Sequence, residues 1–106
     1  PDAAAEVARD RRVNVLVSLG DEGAFLDTPQ GEGLRAEAPR VQAVNTVGAG
    51  DSLVAGVVAA LSGGDGLREA LRLGIACGTA SVLTEGVAVV RRDDVEELLR
   101  QVAVQP

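Results

Sequence analysis

One stretch of eight residues organises the rest of this chain: Asn45-Thr46-Val47-Gly48-Ala49-Gly50-Asp51-Ser52. The apolar segment before it, residues 41–44, predicts a short strand, and the apolar residues after it predict a helix over residues 51–61. Glycines at the start of a helix let backbone N–H groups surround a ligand, and the helix N-terminus favours negative charge. The stretch therefore has the chemistry to bind an anion, with the Asp51 carboxylate beside it.

Two interpretations of this stretch stay open on spacing alone. In the structural one, the glycines form a turn and Asp51 caps the helix, as aspartate commonly does. In the functional one, Asp51 is a general base. The amides of Ala49, Gly50 and Asp51 then stabilise charge on a transferring phosphoryl group.

The composition narrows the chemistry that is available. The 106 residues make one domain at most, with a formal charge of −6, no histidine and arginine as the only basic residue. Without histidine, Ser–His–Asp and Cys–His catalysis and histidine metal sites are excluded. Without lysine, the P-loop signature and lysine Schiff bases are excluded. Carboxylates, hydroxyls, arginines and backbone amides remain.

Charge and cysteine content also predict partners and location. The negative charge argues against nucleic acid or an anionic membrane as partner. Cys77, the single cysteine, can form no internal disulfide, no signal peptide is visible, and the apolar runs are too short to span a bilayer. We therefore expect a cytoplasmic protein without a dedicated metal site.

The first half of the chain predicts a helix and several strands. A surface helix is expected over residues 2–11, with Val7 and the alanines on its inner face, followed by a buried, parallel strand over residues 13–19. Residues 23–27 and 33–37 predict a β-hairpin, because the turn residues Thr28-Pro29-Gln30-Gly31 separate them.

The second half predicts helices. The helix over residues 51–61 is apolar all round, which predicts burial, and Gly63-Gly64 ends it. Asp65 is expected to cap a helix over residues 67–83.

Within that helix, Gly74 and Gly78 allow another backbone to come close. A short strand over residues 87–90 and a capping box at residues 93–96 lead into a C-terminal helix. Alternating elements predict an α/β fold, but too few strands are present for a complete doubly wound sheet.

Two further segments are candidates for a ligand site. Residues 18–23 form a glycine-bounded turn after a predicted strand, and ligands in α/β folds lie beyond the carboxyl ends of strands. If the strands before the two glycine loops are parallel, both loops open on one edge of the sheet. Residues 77–81 are small and could face a flat adenine. Taken alone, each segment is better explained as structural.

Together, these segments resemble the PfkB (ribokinase-like) sugar kinases. Residues 45–52 resemble the family's second signature, usually written Asp-Thr-x-Gly-Ala-Gly-Asp. Residues 17–24 resemble the strand and turn before its hairpin, and residues 74–81 resemble its late nucleotide-side helix. The resemblance implies a three-layer α/β/α sandwich. Residues 1–106 would be its C-terminal, ATP-binding and catalytic-base part, an incomplete domain.

The resemblance also implies a role for each motif. Asp51 would be the catalytic base that takes a proton from a sugar hydroxyl, and Gly48, Ala49 and Gly50 would form the anion hole. Magnesium would be held mainly by the ATP phosphates and water. The residues expected to line the ATP site are Ser18, Gly20, Gly23, Cys77, Gly78 and Ser81.

Within the family, Asn45 and the run over residues 47–56 look most like 1-phosphofructokinases, which convert fructose 1-phosphate to the 1,6-bisphosphate. Kinases of tagatose 6-phosphate, ribose or nucleosides are alternatives, and a non-catalytic module is the alternative from another class. The family's N-terminal glycine motif, stranded lid and Asn-x-x-Glu motif have no counterpart in these residues. ATP and a sugar phosphate are the implied partners, and the intact enzyme is expected to form a homodimer through that lid.

Overall fold

The computed structural model describes residues 2–87 and 89–106, which form four α-helices, four β-strands and one 3₁₀ turn. In chain order the elements are α1 (Asp2–Arg11), β1 (Val15–Ser18), the 3₁₀ turn (Gly20–Glu22), β2 (Ala24–Asp27), β3 (Gly33–Ala36), α2 (Ala49–Ser62), α3 (Leu67–Ser81), α4 (Arg92–Leu99) and β4 (Val104–Gln105).

The strands form one antiparallel sheet in the order β1-β2-β3-β4. Leu16, Leu26 and Leu34 lie side by side across the first three strands. They belong to the core that the sheet shares with α2 and α3, where Leu71 and Ile75 of α3 are almost fully buried. The predicted hairpin is confirmed. The Thr28 hydroxyl closes its turn by accepting a hydrogen bond from the Glu32 N–H (3.0 Å).

The prediction of a buried, parallel strand over residues 13–19 is wrong in two respects. β1 covers only Val15–Ser18, and it pairs antiparallel with β2. It lies at the edge of the sheet, and Val13 and Leu19 are exposed. An apolar run predicts an extended segment, but it does not specify which strand lies beside it.

Two other predicted strands differ as well. Residues 41–44 form no strand, because the Val44 N–H donates to the Val82 carbonyl at the end of α3 (2.6 Å) rather than to the sheet. Val87, Val89 and Val90 lie in no strand. Ala88, the remaining residue of the predicted strand, lies outside the described residues.

The two central helices pack along each other at glycines. A Cβ atom on Gly74 would lie 2.5 Å from Val57 Cγ2 and 2.8 Å from the Leu53 carbonyl oxygen, and one on Gly78 would lie 3.2 Å from the Ala49 carbonyl oxygen. The predicted close approach at both glycines is therefore confirmed.

The prediction that α2 is buried all round is wrong. It begins at Ala49, two residues before the predicted start, and ends at Ser62, just before Gly63. One side carries core residues, but Val54, Val58 and Leu61 are exposed by 51%, 54% and 42%. Apolar periodicity shows which faces are suited to burial, not whether the residues present cover them.

The helix ends also depart from the predictions. Gly66, not Asp65, is the N-cap of α3, which ends at Ser81 rather than at residue 83. Arg91 is the N-cap of α4 without a side-chain hydrogen bond, so the predicted capping box does not form.

The predicted helix over residues 2–11 is confirmed, and its predicted inner face is confirmed in part. Ala8, one of the alanines expected there, is fully buried, whereas Val7 is 49% exposed.

Two arginines of α3 hold the C-terminal segment. Arg72 Nη2 donates to the Leu99 carbonyl (2.7 Å) and Arg72 Nε donates to the Val102 carbonyl (3.0 Å), while Arg68 donates to the Val104 carbonyl (2.7 Å). These bonds fix the end of α4 and the short strand β4 against α3. Among the described residues, no helix combines the length and apolar character needed to cross a membrane.

Candidate functional site

The second glycine loop, which comprises residues 45–50, leads directly into α2. Gly48 is the N-cap residue and has a φ of 87°, a left-handed conformation that glycine adopts without strain. The first helical bond runs from the Ser52 N–H to the Gly48 carbonyl (3.0 Å). The Gly50 and Asp51 amides find no acceptor anywhere in residues 2–87 and 89–106, as expected for the first turn of a helix. The loop therefore presents free donors to solvent, next to the exposed Asp51 carboxylate.

The first glycine loop, which comprises residues 18–23, approaches β3 closely. Gly23 has a φ of 112°, and a Cβ atom there would lie 2.1 Å from the Ala36 carbonyl oxygen. The loop closes through the Leu19 N–H, which donates to the Gly23 carbonyl (2.8 Å). Gly20 has a φ of 62°, but a Cβ atom there would meet nothing within 4 Å. Gly23 is thus required by packing, whereas Gly20 only supplies a turn.

Both loops border one open groove of about 1260 Å³. The groove lies between the end of β1, the start of α2 and the second half of α3. Residues 41–44 form no strand, so the loops meet without a parallel pair of strands before them. The structure brings together, along this groove, the candidate residues Ser18, Gly20, Gly23, Ala49, Gly50 and Gly78.

The remaining candidates lie elsewhere. Gly48 precedes the helix and does not line the groove. Asp51 and Cys77 line a separate, smaller depression of about 400 Å³ between α2 and α3. Ser81 is fully buried, and its hydroxyl donates to the Gly78 carbonyl (2.9 Å). Burial raises the pKa of the Cys77 thiol above its usual value.

Several groove residues were not singled out from the sequence. Arg35 and Arg40 supply positive charge to the rim of the groove. The carboxylates of Asp21, Glu22 and Glu37 supply negative charge to the same rim. Thr79 also lines the groove and lies within the segment 77–81 that the sequence marked as a candidate, although it was not assigned to the ATP site.

Gln101 and Gln105 also line the groove, because Arg68 and Arg72 hold the C-terminal segment there. No local sequence signal marks these two glutamines. Within the described part of the chain, no group of three or more His, Cys, Asp or Glu side chains is arranged to hold a metal ion.

Comparison with known proteins identifies the family. The family described as pfkB family carbohydrate kinase matches residues 2–93. ATP-dependent 6-phosphofructokinase isozyme 2 of Mycobacterium tuberculosis is 42% identical over 100 residues, which are 94% of this chain and 29% of that protein. The 1-phosphofructokinase of Escherichia coli K12 is 35% identical over 104 residues, which are 97% of this chain and 33% of that protein.

The fold agrees with this assignment. A crystal structure of phosphofructokinase-2 from Escherichia coli in complex with potassium matches with a TM-score of 0.87 and 32% identity, over 94% of this chain and 32% of that chain. The expected ribokinase-like fold is thereby confirmed for the part of it that these residues form. The chain spans about a third of the length of the relatives it matches. It belongs to the pfkB family of carbohydrate kinases.

Proposed function

We propose that this chain is the ATP-binding and catalytic-base part of a kinase that phosphorylates a sugar phosphate. One observation carries the proposal. In the first turn of α2, Gly50 lines the groove and the next residue is Asp51; the amides of both are free, and the Asp51 carboxylate is exposed. Phosphoryl transfer needs few other groups, because its catalysis rests on positioning and on stabilising charge.

The proposed chemistry follows from these groups. Asp51 accepts the proton of the attacking sugar hydroxyl while the new oxygen–phosphorus bond forms. The bond between the γ-phosphorus and the β,γ-bridging oxygen breaks, and ADP leaves with the electron pair. Gly48, Ala49 and Gly50 form the proposed anion hole, in which the free Gly50 amide, together with the free Asp51 amide, stabilises the charge on the transferring group. The Ala49 N–H already donates to the Thr46 carbonyl (3.3 Å). A positioned base contributes about 10²–10⁴-fold, and one donor of such a hole about 10²–10³-fold.

The groove is the proposed ATP site. Ser18, Gly20 and Gly23 form one wall, and Gly78 lies on the opposite helix. The Ser81 hydroxyl donates to the Gly78 carbonyl and would help to keep Gly78 in position. Cys77 would support the same helix from the depression between α2 and α3. Mg²⁺ would reach the site on the ATP phosphates and be held by them and by water.

Fructose 1-phosphate is the proposed acceptor, and fructose 6-phosphate is the second candidate. The first is supported by the residues around Asn45 and by the names of relatives such as the E. coli 1-phosphofructokinase. The second is supported by the name of the M. tuberculosis relative, which has the higher identity. Both reactions yield fructose 1,6-bisphosphate.

The decisive experiment measures ADP formation by the full-length protein with four acceptors in parallel: fructose 1-phosphate, fructose 6-phosphate, tagatose 6-phosphate and ribose. We expect the highest kcat/KM with fructose 1-phosphate. A higher value with another sugar would replace the proposed acceptor, and no turnover with any of them would overturn the proposed phosphorylation of a sugar phosphate. Residues 1–106 assayed alone should form no ADP, and steady turnover by them would contradict the proposal that they hold only part of the site.

We also propose that the intact protein works in the cytoplasm as a homodimer or larger homo-oligomer. A tetrameric inhibited form of E. coli phosphofructokinase-2 supports self-association. The single cysteine supports a reducing compartment such as the cytoplasm. The negative charge argues against nucleic acid or an anionic membrane as partner, and the family supports ATP and a sugar phosphate. Light scattering during gel filtration of the full-length protein tests the oligomeric state, and a monomer with and without ATP would contradict it.

A further inference from the structure

Asn45 ties the second glycine loop to the end of α3. Its side-chain Nδ2 donates to the Glu85 carbonyl (3.1 Å), and its Oδ1 accepts a hydrogen bond from the Val47 N–H (3.0 Å). The Asn45 N–H donates to the Val82 carbonyl (3.1 Å). One side chain therefore bridges the segment that follows α3 and the loop that leads into α2.

This loop has little else to hold it. Thr46 and Val47 are exposed, with Val47 at 59%, so no core packing fixes them. The N-cap residue Gly48 supplies no side-chain cap. Beyond the loop, Ala49 lies against Gly78 of α3. The loop is thus anchored at its two ends, and both anchors are on the same end of α3.

An asparagine suits the first anchor for a chemical reason. A carboxamide offers one acceptor and a pair of N–H donors, and this site uses both kinds of group. Aspartate would keep the acceptor for the Val47 N–H, but it has no donor for the Glu85 carbonyl. Leucine has a similar shape and would lose both bonds.

We propose that Asn45 is a positioning residue for phosphoryl transfer. Its hydrogen bonds fix the second glycine loop to the end of α3, and this keeps the first-turn amides of α2 and the Asp51 carboxylate in position beside the groove. This inference rests on the proposed function. Asn45 is assigned no contact with ATP or sugar, so it affects kcat only by fixing the position of the loop.

The test compares three variants of the full-length protein: Asn45→Leu, Asn45→Asp and the control Asn14→Ala. Asn14, the other asparagine of the chain, is exposed and lies before β1, away from the groove. Asn45→Leu should lower kcat by about 10–100-fold, with the KM for ATP changed by less than about threefold, because misplaced groups slow the chemical step more than binding. Asn45→Asp should fall between Asn45→Leu and the wild type, and Asn14→Ala should match the wild type.

A second measurement does not depend on turnover. Hydrogen exchange of the Val47, Ala49 and Ser52 amides, which are hydrogen-bonded in and next to this loop, should be faster in Asn45→Leu. Exchange elsewhere and the Tm should change little, because the two lost side-chain bonds are exposed and water replaces them. Wild-type kcat in Asn45→Leu, or faster exchange spread over the whole chain, would overturn the positioning role. If the wild type has no kinase activity, the proposed function fails, and the exchange data alone decide whether Asn45 holds the loop.

Discussion

Replacing Gly23 with alanine should damage the sheet and the groove together. Gly23 combines a φ of 112° with a ψ of −140°, a region that is almost confined to glycine. It also lies directly against β3, where the added Cβ atom would be 2.1 Å from the Ala36 carbonyl oxygen and 2.9 Å from Glu37 Cα. Both contacts are with backbone, so no side chain can rotate away to relieve them.

The size of the effect follows from the backbone conformation and the clash. Holding a non-glycine residue in this backbone region costs about 1–3 kcal/mol. The Ala36 carbonyl must also retreat from 2.1 Å to at least 3.0 Å, which separates β2 from β3 at the Ala24–Ala36 pair. Overpacking of this kind costs about 1–3 kcal/mol. We therefore expect the free energy of unfolding to fall by about 2–6 kcal/mol, the sum of the two contributions.

Two other glycines provide matched controls. Gly20 in the same loop and Gly31 in the hairpin turn have φ values of 62° and 89°, and a Cβ atom at either would meet nothing within 4 Å. Alanine at either position should therefore cost only the left-handed strain, about 1–2 kcal/mol. Gly20 and Gly23 line the groove and Gly31 does not, so the KM for ATP should rise in the Gly20→Ala and Gly23→Ala variants alone.

Urea denaturation followed by circular dichroism measures the free energy of unfolding, and steady-state kinetics of the full-length protein measure the KM for ATP. If Gly23→Ala is no less stable than Gly31→Ala, the backbone clash is relieved without cost and the reasoning fails. If Gly23→Ala yields no folded protein while Gly31→Ala folds normally, the clash with β3 is confirmed as more damaging than left-handed strain.

Three further predictions concern single side chains. Asp51→Ala should lower kcat by about 10²–10⁴-fold while calorimetry shows ATP affinity within about threefold of the wild type; near-normal turnover would leave Asp51 as a helix-start residue only. Arg72→Met should lower the free energy of unfolding by about 1–3 kcal/mol, because it removes two charge-assisted bonds to carbonyls of the C-terminal segment. Replacing the exposed Arg92 in Arg92→Met should change the free energy of unfolding by less than about 0.5 kcal/mol. Equal effects of the two substitutions would refute the role of Arg72 in holding the C-terminal segment. Cys77 should react with a disulfide reagent more slowly than free cysteine at pH 7.5, because its raised pKa leaves less thiolate. Its rate should keep rising with pH beyond the usual cysteine pKa of about 8.5, and a rate equal to that of free cysteine would show that the thiol is not desolvated.

The elements that could be predicted from sequence are those with local causes. The hairpin forms where Thr28 and the residues after it supply a turn, and α2 ends just before Gly63-Gly64. The close packing at Gly74 and Gly78 was also predictable, because two glycines four apart on a helix leave a gap that another backbone can fill.

The predictions that failed needed information from distant residues. Residues 41–44 have the composition of a strand, but the Val82 carbonyl at the end of α3 captures the Val44 N–H. The cap predicted at Asp65 requires a side-chain geometry that spacing alone does not specify, and Gly66 takes the N-cap position instead.

By itself, the sequence determined which groups this chain can use: backbone amides at Gly48–Gly50, the Asp51 carboxylate and two glycine loops, since these depend on residue type and on neighbours a few positions away. Only the tertiary structure decided that both loops border one groove, that Gly78 faces it while Cys77 and Asp51 line a separate depression, and that Asn45 bridges to the end of α3. Those outcomes depend on how α2 and α3 are placed against the sheet. That placement is set by contacts between residues far apart in the chain, which no local pattern encodes.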